Sequence, residues 1–293
     1  FYDKKFIDKL DNQKHIVGFE NGIYDLHAKV FRDGIPSDYV TMSTGLSLPI
    51  RNKPVSITQI VEQVKDMDDY QTLSEELYDF LDKVFPKRDV CEYTLRFLSS
   101  CLSGEINEEK FYFWTGSGGN GKSKLVELID HAFGEYSGTM DVSFLTSKRG
   151  CSSSASPELE NIKNCRFVSM SEPEKSDVIY VGKLKQMSGG DKMTSRGLFK
   201  ETTRFKPQFK IALMCNDLPK LAGNDGGIWR RIEVVDYISK FSDNPRPCEA
   251  DPYQYLADEK LSSKLEQWKL IFMITLLDKY NLYCCEGTNP PLE

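Results

Sequence analysis

Residues 116–123 carry the residue types and the spacing that bind phosphate groups. They read Gly-Ser-Gly-Gly-Asn-Gly-Lys-Ser, a glycine and four variable residues followed by Gly-Lys-Ser. Glycines let backbone N–H groups turn toward phosphate oxygens, the lysine reaches the β- and γ-phosphates, and the serine hydroxyl binds Mg²⁺. We therefore interpret this stretch as an ATP site. The predicted nucleotide-contacting residues are Gly116, Ser117, Gly118, Gly119, Asn120, Gly121, Lys122, Ser123 and Lys124.

The elements on either side of this loop are those that a phosphate-binding loop requires. A strand-like run, residues 111–114, precedes it, and a helix-like run, residues 124–133, follows it. The helix N-terminus adds partial positive charge for an anion. The alternative, a glycine-rich turn that binds nothing, is disfavoured by this strand–loop–helix context.

Hydrolysis needs an acid near the loop, for Mg²⁺ and for the attacking water. The apolar run 167–170 ends in Ser-Glu-Pro-Glu, so Glu172 is the first candidate and Glu174 the second. Carboxyl ends of parallel strands meet where open α/β sheets bind ligands. An exposed loop acid is the alternative for Glu172.

ATP hydrolysis at a phosphate-binding loop also uses a polar sensor residue and, in many proteins, an arginine. The run 211–215 ends at Asn216, whose amide can hydrogen-bond both a water and a γ-phosphate oxygen, although an Asn-Asp turn before Pro219 fits equally well. Arg230 and Arg231 precede a further strand candidate, and either can serve as an arginine finger. Paired arginines are also common on solvated faces.

The stretch 183–210 is strongly basic, with eight cations against only Asp191 and Glu201, in a chain whose formal net charge is −6. Such a concentration of charge suggests a nucleic-acid track. Residues 198–205 form a plausible hairpin with Phe199 and Lys200 at its tip, where an aromatic ring and a cation can hold single-stranded DNA. A solvated basic hairpin is the alternative.

The rest of the chain predicts an α/β protein with a small domain in front. Residues 15–26 read as a hairpin around Asn21-Gly22, residues 56–104 show helical spacing, and strand and helix signals alternate afterwards, as in a mainly parallel sheet. We expect a β-rich segment at 1–55, a helical domain at 56–104, the ATPase core at 105–240 and a helical segment at 241–293.

The individual elements of the core can also be predicted. Strands are expected at 111–114, 166–170, 210–215 and 231–235, and helices at 122–133, 157–161, 179–188 and 255–280. The last helix carries an apolar stripe of Leu261, Leu265, Trp268 and Phe272, which we interpret as core packing.

Composition excludes several classes of protein. The eight cysteines of the chain lack zinc-ligand spacing, and its three histidines do not cluster with them. We therefore expect reduced thiols in a cytosolic-type compartment, a host cytoplasm or a viral replication site, and no secretion. The longest apolar run, 270–277, is too short to span a bilayer, so we expect no membrane partner. A chain opening on Phe1 without a signal-like segment is expected to be a piece of a longer protein.

Taken in order, these motifs resemble a superfamily 3 helicase of the primase-helicase type found in poxviruses, other large DNA viruses, phages and plasmids. The residues that carry the resemblance are 116–123, 167–172, the segment 185–196 with its Ser-Gly-Gly-Asp, Asn216 with Pro219, and 229–232. The motifs cover about 105–240. A looser likeness to the domain preceding the ATPase in this branch covers about 15–105.

The resemblance implies an AAA+-like ATPase that forms a homohexameric ring around single-stranded DNA at a replication fork. It implies ATP and Mg²⁺ between subunits, with Ser123 and Glu172 on the metal and an upstream primase domain in the full-length chain. Lys122, Glu172 and Asn216 would be catalytic with an arginine finger, for which Arg231 is slightly preferred over Arg230. Lys192, Arg196, Phe199 and Lys200 would contact DNA.

One departure and three alternatives stay open. Many family members have two consecutive acids where this chain has Ser-Glu-Pro, so Glu172 and Glu174 can divide the acid's duties. The alternatives to a helicase are a nucleotide kinase, a DNA-binding scaffold and a packaging-type ATPase without unwinding activity.

Overall fold

The structure is a computed structural model that describes residues 6–50, 52–147, 157–196, 202–223 and 226–291. The chain divides into two compact units, which we describe separately. One unit comprises the chain up to Ser103, Gly119–Tyr136 and the chain from Ile238 onward, and the other comprises Gly104–Gly118 and Ser137–Tyr237.

Strands and helices are numbered in chain order. The strands are β1 Ile16–Phe19, β2 Gly22–Asp25, β3 Val30–Arg32, β4 Val55–Ser56, β5 Phe111–Thr115, β6 Ser137–Met140, β7 Phe167–Met170, β8 Val178–Tyr180, β9 Met193–Arg196, β10 Thr202–Phe205, β11 Lys210–Met214, β12 Lys220–Ala222, β13 Ile232–Asp236, β14 Lys240–Ser242 and β15 Gln254–Leu256. The helices are α1 Phe6–Lys9, α2 Ile57–Lys65, α3 Tyr70–Val84, α4 Arg88–Ser100, α5 Lys122–Phe133, α6 Ser143–Thr146, α7 Pro157–Ile162, α8 Val181–Ser188, α9 Gly226–Trp229 and α10 Leu261–Glu286. Two single 3₁₀ turns lie at Pro36–Asp38 and Gly134–Tyr136.

The first unit opens with a four-stranded antiparallel sheet in the order β1-β2-β3-β4. The hairpin predicted around Asn21-Gly22 is confirmed, because β1 pairs with β2 and Phe19 lies opposite Gly22. Tyr24 and Phe31 lie opposite each other on one face of this sheet, and both are buried.

The predicted helical region is confirmed as α2, α3 and α4. Ser56 starts α2 with a capping box: its hydroxyl accepts the Gln59 N–H at 3.4 Å, and Gln59 Oε1 accepts the Ser56 N–H at 2.9 Å. The apolar positions at helical spacing, among them Leu77 and Leu81 of α3, are buried.

The C-terminal helix was predicted at 255–280, and its start is wrong. Residues 254–256 form β15, which pairs in parallel with β14, so the helix begins only at Leu261 and runs to Glu286. Its core stripe is confirmed, since Trp268 and Phe272 are buried where α10 packs on α3, α4 and α5.

The second unit is built on a five-stranded parallel sheet in the order β13-β5-β11-β7-β6. The four predicted core strands are confirmed. Every residue of β5 and β7 is buried, as expected of strands covered on both faces. Sequence reasoning missed β6, whose run Ser-Gly-Thr-Met gives little apolar signal.

The predicted core helices form with small shifts. Helix α5 has the predicted bounds, and α7 extends one residue beyond them. The segment predicted as a helix at 179–188 starts later, because Val178–Tyr180 pairs with β12 and only Val181–Ser188 is helical. No helix within the described ranges is both long enough and apolar enough to cross a bilayer.

Candidate functional site

The glycine-rich loop between β5 and α5 has a backbone that depends on glycine. Gly119 and Gly121 have φ of +76° and +89°, the left-handed region that other residues rarely adopt. A Cβ on Gly121 would also lie 2.9 Å from Val84 Cγ2. A Cβ on Gly118, in contrast, would meet no atom of the described residues within 4 Å, so the space beside this part of the loop is open.

The loop leads directly into the first turn of α5. Lys122 is the first residue of that helix and is buried, whereas Ser123 is exposed. The Asn120 side chain is buried and accepts the Lys122 N–H at 3.4 Å, which holds the turn in front of the helix. The Lys124 ammonium donates to Glu127 and to Ser262 at 2.7 Å each, so its side chain serves contacts within the protein.

Two predicted site residues meet at the carboxyl edge of the sheet. β7 and β11 are parallel neighbours, and Glu172 and Asn216 follow their ends. The Asn216 backbone N–H donates to Glu172 Oε1 at 2.9 Å, and its Nδ2 group donates to Oε2 at 3.0 Å. The Gly116 N–H in turn donates to the Asn216 carbonyl at 3.3 Å. The acid, the amide and the first residue of the loop therefore lie together.

Glu174 lies apart from this pair. It is exposed, and its backbone N–H donates to Asp177 Oδ2 at 2.9 Å. Of the two candidate acids, the structure brings Glu172 to Asn216.

The two predicted metal ligands carry oxygen donors of the kind that a hard cation prefers. Ser123 of the first unit carries a hydroxyl and Glu172 of the second unit a carboxylate, and both side chains are exposed. In the part of the chain that the structure describes, no group of three or more His, Cys, Asp or Glu side chains could hold a metal ion by itself. Mg²⁺ commonly binds through one or two protein oxygens together with substrate phosphates and water, which this donor set allows.

The two candidate arginines differ in their surroundings. The Arg231 guanidinium, 14% exposed, forms an ion pair with Glu109 at 2.7 Å and also reaches the Lys185 carbonyl and the Ser188 hydroxyl at 3.4 Å. Arg230 is exposed and has no acidic partner among the described residues. Arg231 is thus held by its own chain, and Arg230 projects where another molecule could meet it.

The predicted DNA-contacting hairpin is described only in its arms. β9 and β10 pair antiparallel with Arg196 opposite Thr202, so the first arm lies at 193–196, before the predicted span of 198–205. Lys192 is exposed beside β9. Phe199 and Lys200, predicted for the tip, lie outside the described residues.

Some contacts of the site could not be predicted from motifs. Thr115, directly before the loop, hydrogen-bonds Asp236 at the end of β13. Glu109 holds Arg231, although the two residues are distant in sequence and share no pattern. Only the pairing of β13 with β5 brings such residues together.

Two family models match the chain. Residues 3–86 match the family described as "D5 N terminal like", and residues 114–231 match the "Family of unknown function (DUF5906)". The second match spans the glycine-rich loop, Glu172 and Asn216.

Curated relatives of the chain are viral proteins. It is 41% identical to "Putative helicase L207/L206" of Acanthamoeba polyphaga mimivirus over 99% of this chain and 29% of that protein. It is 29% identical to "Putative helicase 121R" of Invertebrate iridescent virus 3 over 90% of this chain and 27% of that protein. It is 23% identical to "Putative primase C962R" of African swine fever virus over 96% of this chain and 29% of that protein. The chain therefore spans less than a third of the length of these relatives.

Solved structures share the fold at low identity. The apo "NrS-1 C terminal region" matches with a TM-score of 0.50 and 16% identity, over 71% of this chain and 47% of that one. A second structure of that region gives 0.51 at 15% identity. The resemblance predicted from the motifs is confirmed: residues 3–86 match the D5 N terminal like family, and the chain is similar to the helicase- and primase-named proteins of large DNA viruses.

Proposed function

We propose that this chain is the motor of an ATP-dependent DNA helicase or translocase for viral DNA replication. The observation that best supports this proposal is that hydrogen bonds join Glu172 to Asn216 and Asn216 to Gly116 at the carboxyl edge of the parallel sheet. An acid and an amide fixed where the phosphate-binding loop begins are what ATP hydrolysis requires.

The loop binds the phosphates of ATP in this proposal. Its left-handed glycines expose backbone N–H groups, and the open space beside Gly118 leaves room for phosphate oxygens. Lys122, at the N-terminus of α5, adds positive charge for the β- and γ-phosphates. Ser123 and Glu172 would hold Mg²⁺, which would neutralise charge on the transferring phosphoryl group.

Glu172 orients and deprotonates the attacking water. Its carboxylate is fixed at both oxygens by Asn216, so it needs little further ordering before it acts. This contact uses the backbone N–H of Asn216 and one N–H of its Nδ2 group, and the second N–H of Nδ2 can donate to a γ-phosphate oxygen once ATP is bound. Asn216 then links the state of the nucleotide to the orientation of the acid.

Arg230 is the residue we propose as the arginine finger. It is exposed and lacks an acid partner in the described part of the chain, so it is available to a neighbouring subunit's ATP. Arg231, slightly preferred from its position before β13, is occupied by Glu109 and by two weaker contacts on its own chain. A homohexameric ring with ATP between subunits provides the geometry that such a finger needs.

Single-stranded DNA is the proposed track of the motor. Lys192, Arg204 and Lys206 are exposed near the β9–β10 arms and have no acidic partner among the described residues. They continue the charge bias from which Arg196, Phe199 and Lys200 were predicted to contact DNA. Cations can bind the phosphates of single-stranded DNA and an aromatic ring can stack on its bases, and both contacts are independent of the base sequence.

The relatives support this proposal for the whole protein. Two of them are named putative helicases and one a putative primase, and their much greater length leaves room for the proposed upstream primase domain. Function at a replication fork, in a reducing host or viral compartment, follows from the same proposal.

ATP turnover measured with and without single-stranded DNA tests the proposal. We expect turnover that DNA stimulates and that Lys122→Ala abolishes, whereas Lys65→Ala, at an exposed lysine of α2, leaves both rates unchanged. A nucleotide kinase would ignore DNA, and a scaffold would show no turnover at all. Turnover retained in Lys122→Ala would refute the assignment of the loop.

A further inference from the structure

A carboxylate bridges the two arms of the β9–β10 hairpin. Ser195 of β9 lies directly opposite Thr203 of β10, and their hydroxyls are 2.9 Å apart. Glu160 Oε2 of α7 accepts a hydrogen bond from each, at 2.5 Å from Ser195 and 3.0 Å from Thr203. A single oxygen atom thus joins both strands to the helix.

The surroundings of this carboxylate keep it ionised and in place. Burial alone would raise the pKa of Glu160, but hydrogen bonds from Ser195, Lys163 and Thr203 outweigh burial and hold that pKa below its ordinary value. Lys163, the residue directly after α7, lies 3.1 Å from the other carboxylate oxygen. Hydrogen bonds to a charged acceptor are the strong ones, and Ser195 is fully buried, so the contact between Ser195 and Glu160 resists exchange with water.

The network requires α7 to lie against the hairpin. Helix α7 contacts β9, and the Ser195 hydroxyl of β9 bonds to Glu160 of that helix. Ser195 is buried, and a buried strand position normally carries an apolar side chain. A buried hydroxyl without a partner is costly, whereas one bonded to a charged oxygen is satisfied. The pairing of Ser195 with Glu160 therefore fixes which face of β9 meets α7.

We propose that Glu160 is a positioning residue that locks the two arms of this hairpin in register and fixes their direction on α7. Resting on the proposed function, this lock sets where the cations beside the arms meet single-stranded DNA. A hairpin that carries a load along a strand needs a stiff base, and a two-stranded ribbon alone is only marginally stable. Glu160 supplies that stiffness from outside the ribbon.

Electrostatics alone predicts the opposite effect of removing this residue. Loss of a negative charge near a basic DNA track strengthens DNA binding, because fewer acids oppose the phosphates. Loss of a positioning residue weakens binding. The sign of the change in affinity therefore separates the two explanations.

The test compares Glu160→Ala with Glu158→Ala in the full chain. Glu158 lies on the same helix and is exposed, and it has no hydrogen bond or ion pair within the described ranges, so its removal changes the net charge equally. Hydrogen exchange of the β9 and β10 amides and the Kd for a single-stranded oligonucleotide are measured for both. We expect Glu160→Ala to speed exchange in both arms about tenfold and to raise Kd at least about threefold, with neither change in Glu158→Ala.

A milder variant keeps the test valid if Glu160→Ala does not fold. Thr203→Val removes one hydroxyl at an exposed position and should shift exchange in the same direction by a smaller amount. Unchanged exchange in the arms of both variants would overturn the role of Glu160. Faster exchange with an unchanged Kd would support the positioning role of Glu160 and show that the hairpin does not contact DNA. Failure of the lock and failure of the proposed function therefore give different results.

Discussion

Replacing Asn216 by Asp tests the contact on which the proposed chemistry depends. The Nδ2 group lies 3.0 Å from Glu172 Oε2 and donates to it, whereas Asp would place a second carboxylate oxygen there. Asn216→Ala removes only the donor, and Asn216→Asp removes it and adds repulsion. The two variants therefore separate loss of an interaction from reversal of its sign.

The size of each effect follows from the distances. A hydrogen bond to a charged group contributes about 1.5–3 kcal/mol, and the exposure of both side chains favours the lower end. Two like charges 3.0 Å apart repel by about 1.4 kcal/mol even at the dielectric constant of water. We expect Asn216→Ala to lower kcat about tenfold and Asn216→Asp to lower it about a further tenfold.

The assay is steady-state ATP turnover at saturating ATP and DNA, with thermal unfolding as the check on folding. Asn244→Asp is the control, because it makes the same chemical change at an exposed residue that has no side-chain hydrogen bond to the described part of the chain. It should retain the activity of the unchanged protein. Turnover of Asn216→Asp equal to or above that of Asn216→Ala would show that this amide does not face Glu172 during hydrolysis.

Three further predictions concern the arginines, the loop and the thiols. Arg230→Ala should lower kcat at least a hundredfold and leave Tm unchanged. Arg231→Ala leaves Glu109 without its ion pair and should lower the free energy of unfolding, measured by denaturant titration, by about 1–3 kcal/mol. The opposite result for the two variants would exchange the roles of the two arginines. Gly121→Ala should lose about 1–2 kcal/mol and bind ATP more weakly in calorimetry, and an unchanged Tm would contradict the strain inferred from its φ of +89°. Burial raises the pKa of the Cys165 thiol to about 11, so at pH 8 a thiol reagent should label exposed Cys248 much faster, as peptide mapping can check.

Sequence reasoning succeeded where one local signal determines one element. The all-apolar run of β5, the glycine loop and the amphipathic start of α5 follow one another without interruption, and their bounds were predicted almost to the residue. Glu172 and Asn216 were predicted together because parallel strands place their carboxyl ends on one edge.

Elements that depend on distant partners were predicted less well. The first arm of the hairpin was misplaced because Ser195, a buried polar residue, breaks the alternation of apolar residues along the strand. The burial of Ser195 is explained by its hydrogen bond to Glu160, which lies on another element. The preference for Arg231 over Arg230 came from position before a strand, while its pairing with Glu109 is a tertiary contact without a sequence pattern. The start of α10 was predicted too early because Gln254–Leu256 pairs in parallel with β14, a tertiary contact that no turn signal in the sequence indicates.

Movement along DNA is the central claim, and displacement of streptavidin from biotinylated single-stranded DNA measures it most directly. We predict ATP-dependent displacement from one end of the oligonucleotide only, absent without ATP and in Lys122→Ala. ATP hydrolysis by the unchanged protein without displacement faster than that of Lys122→Ala would contradict the account.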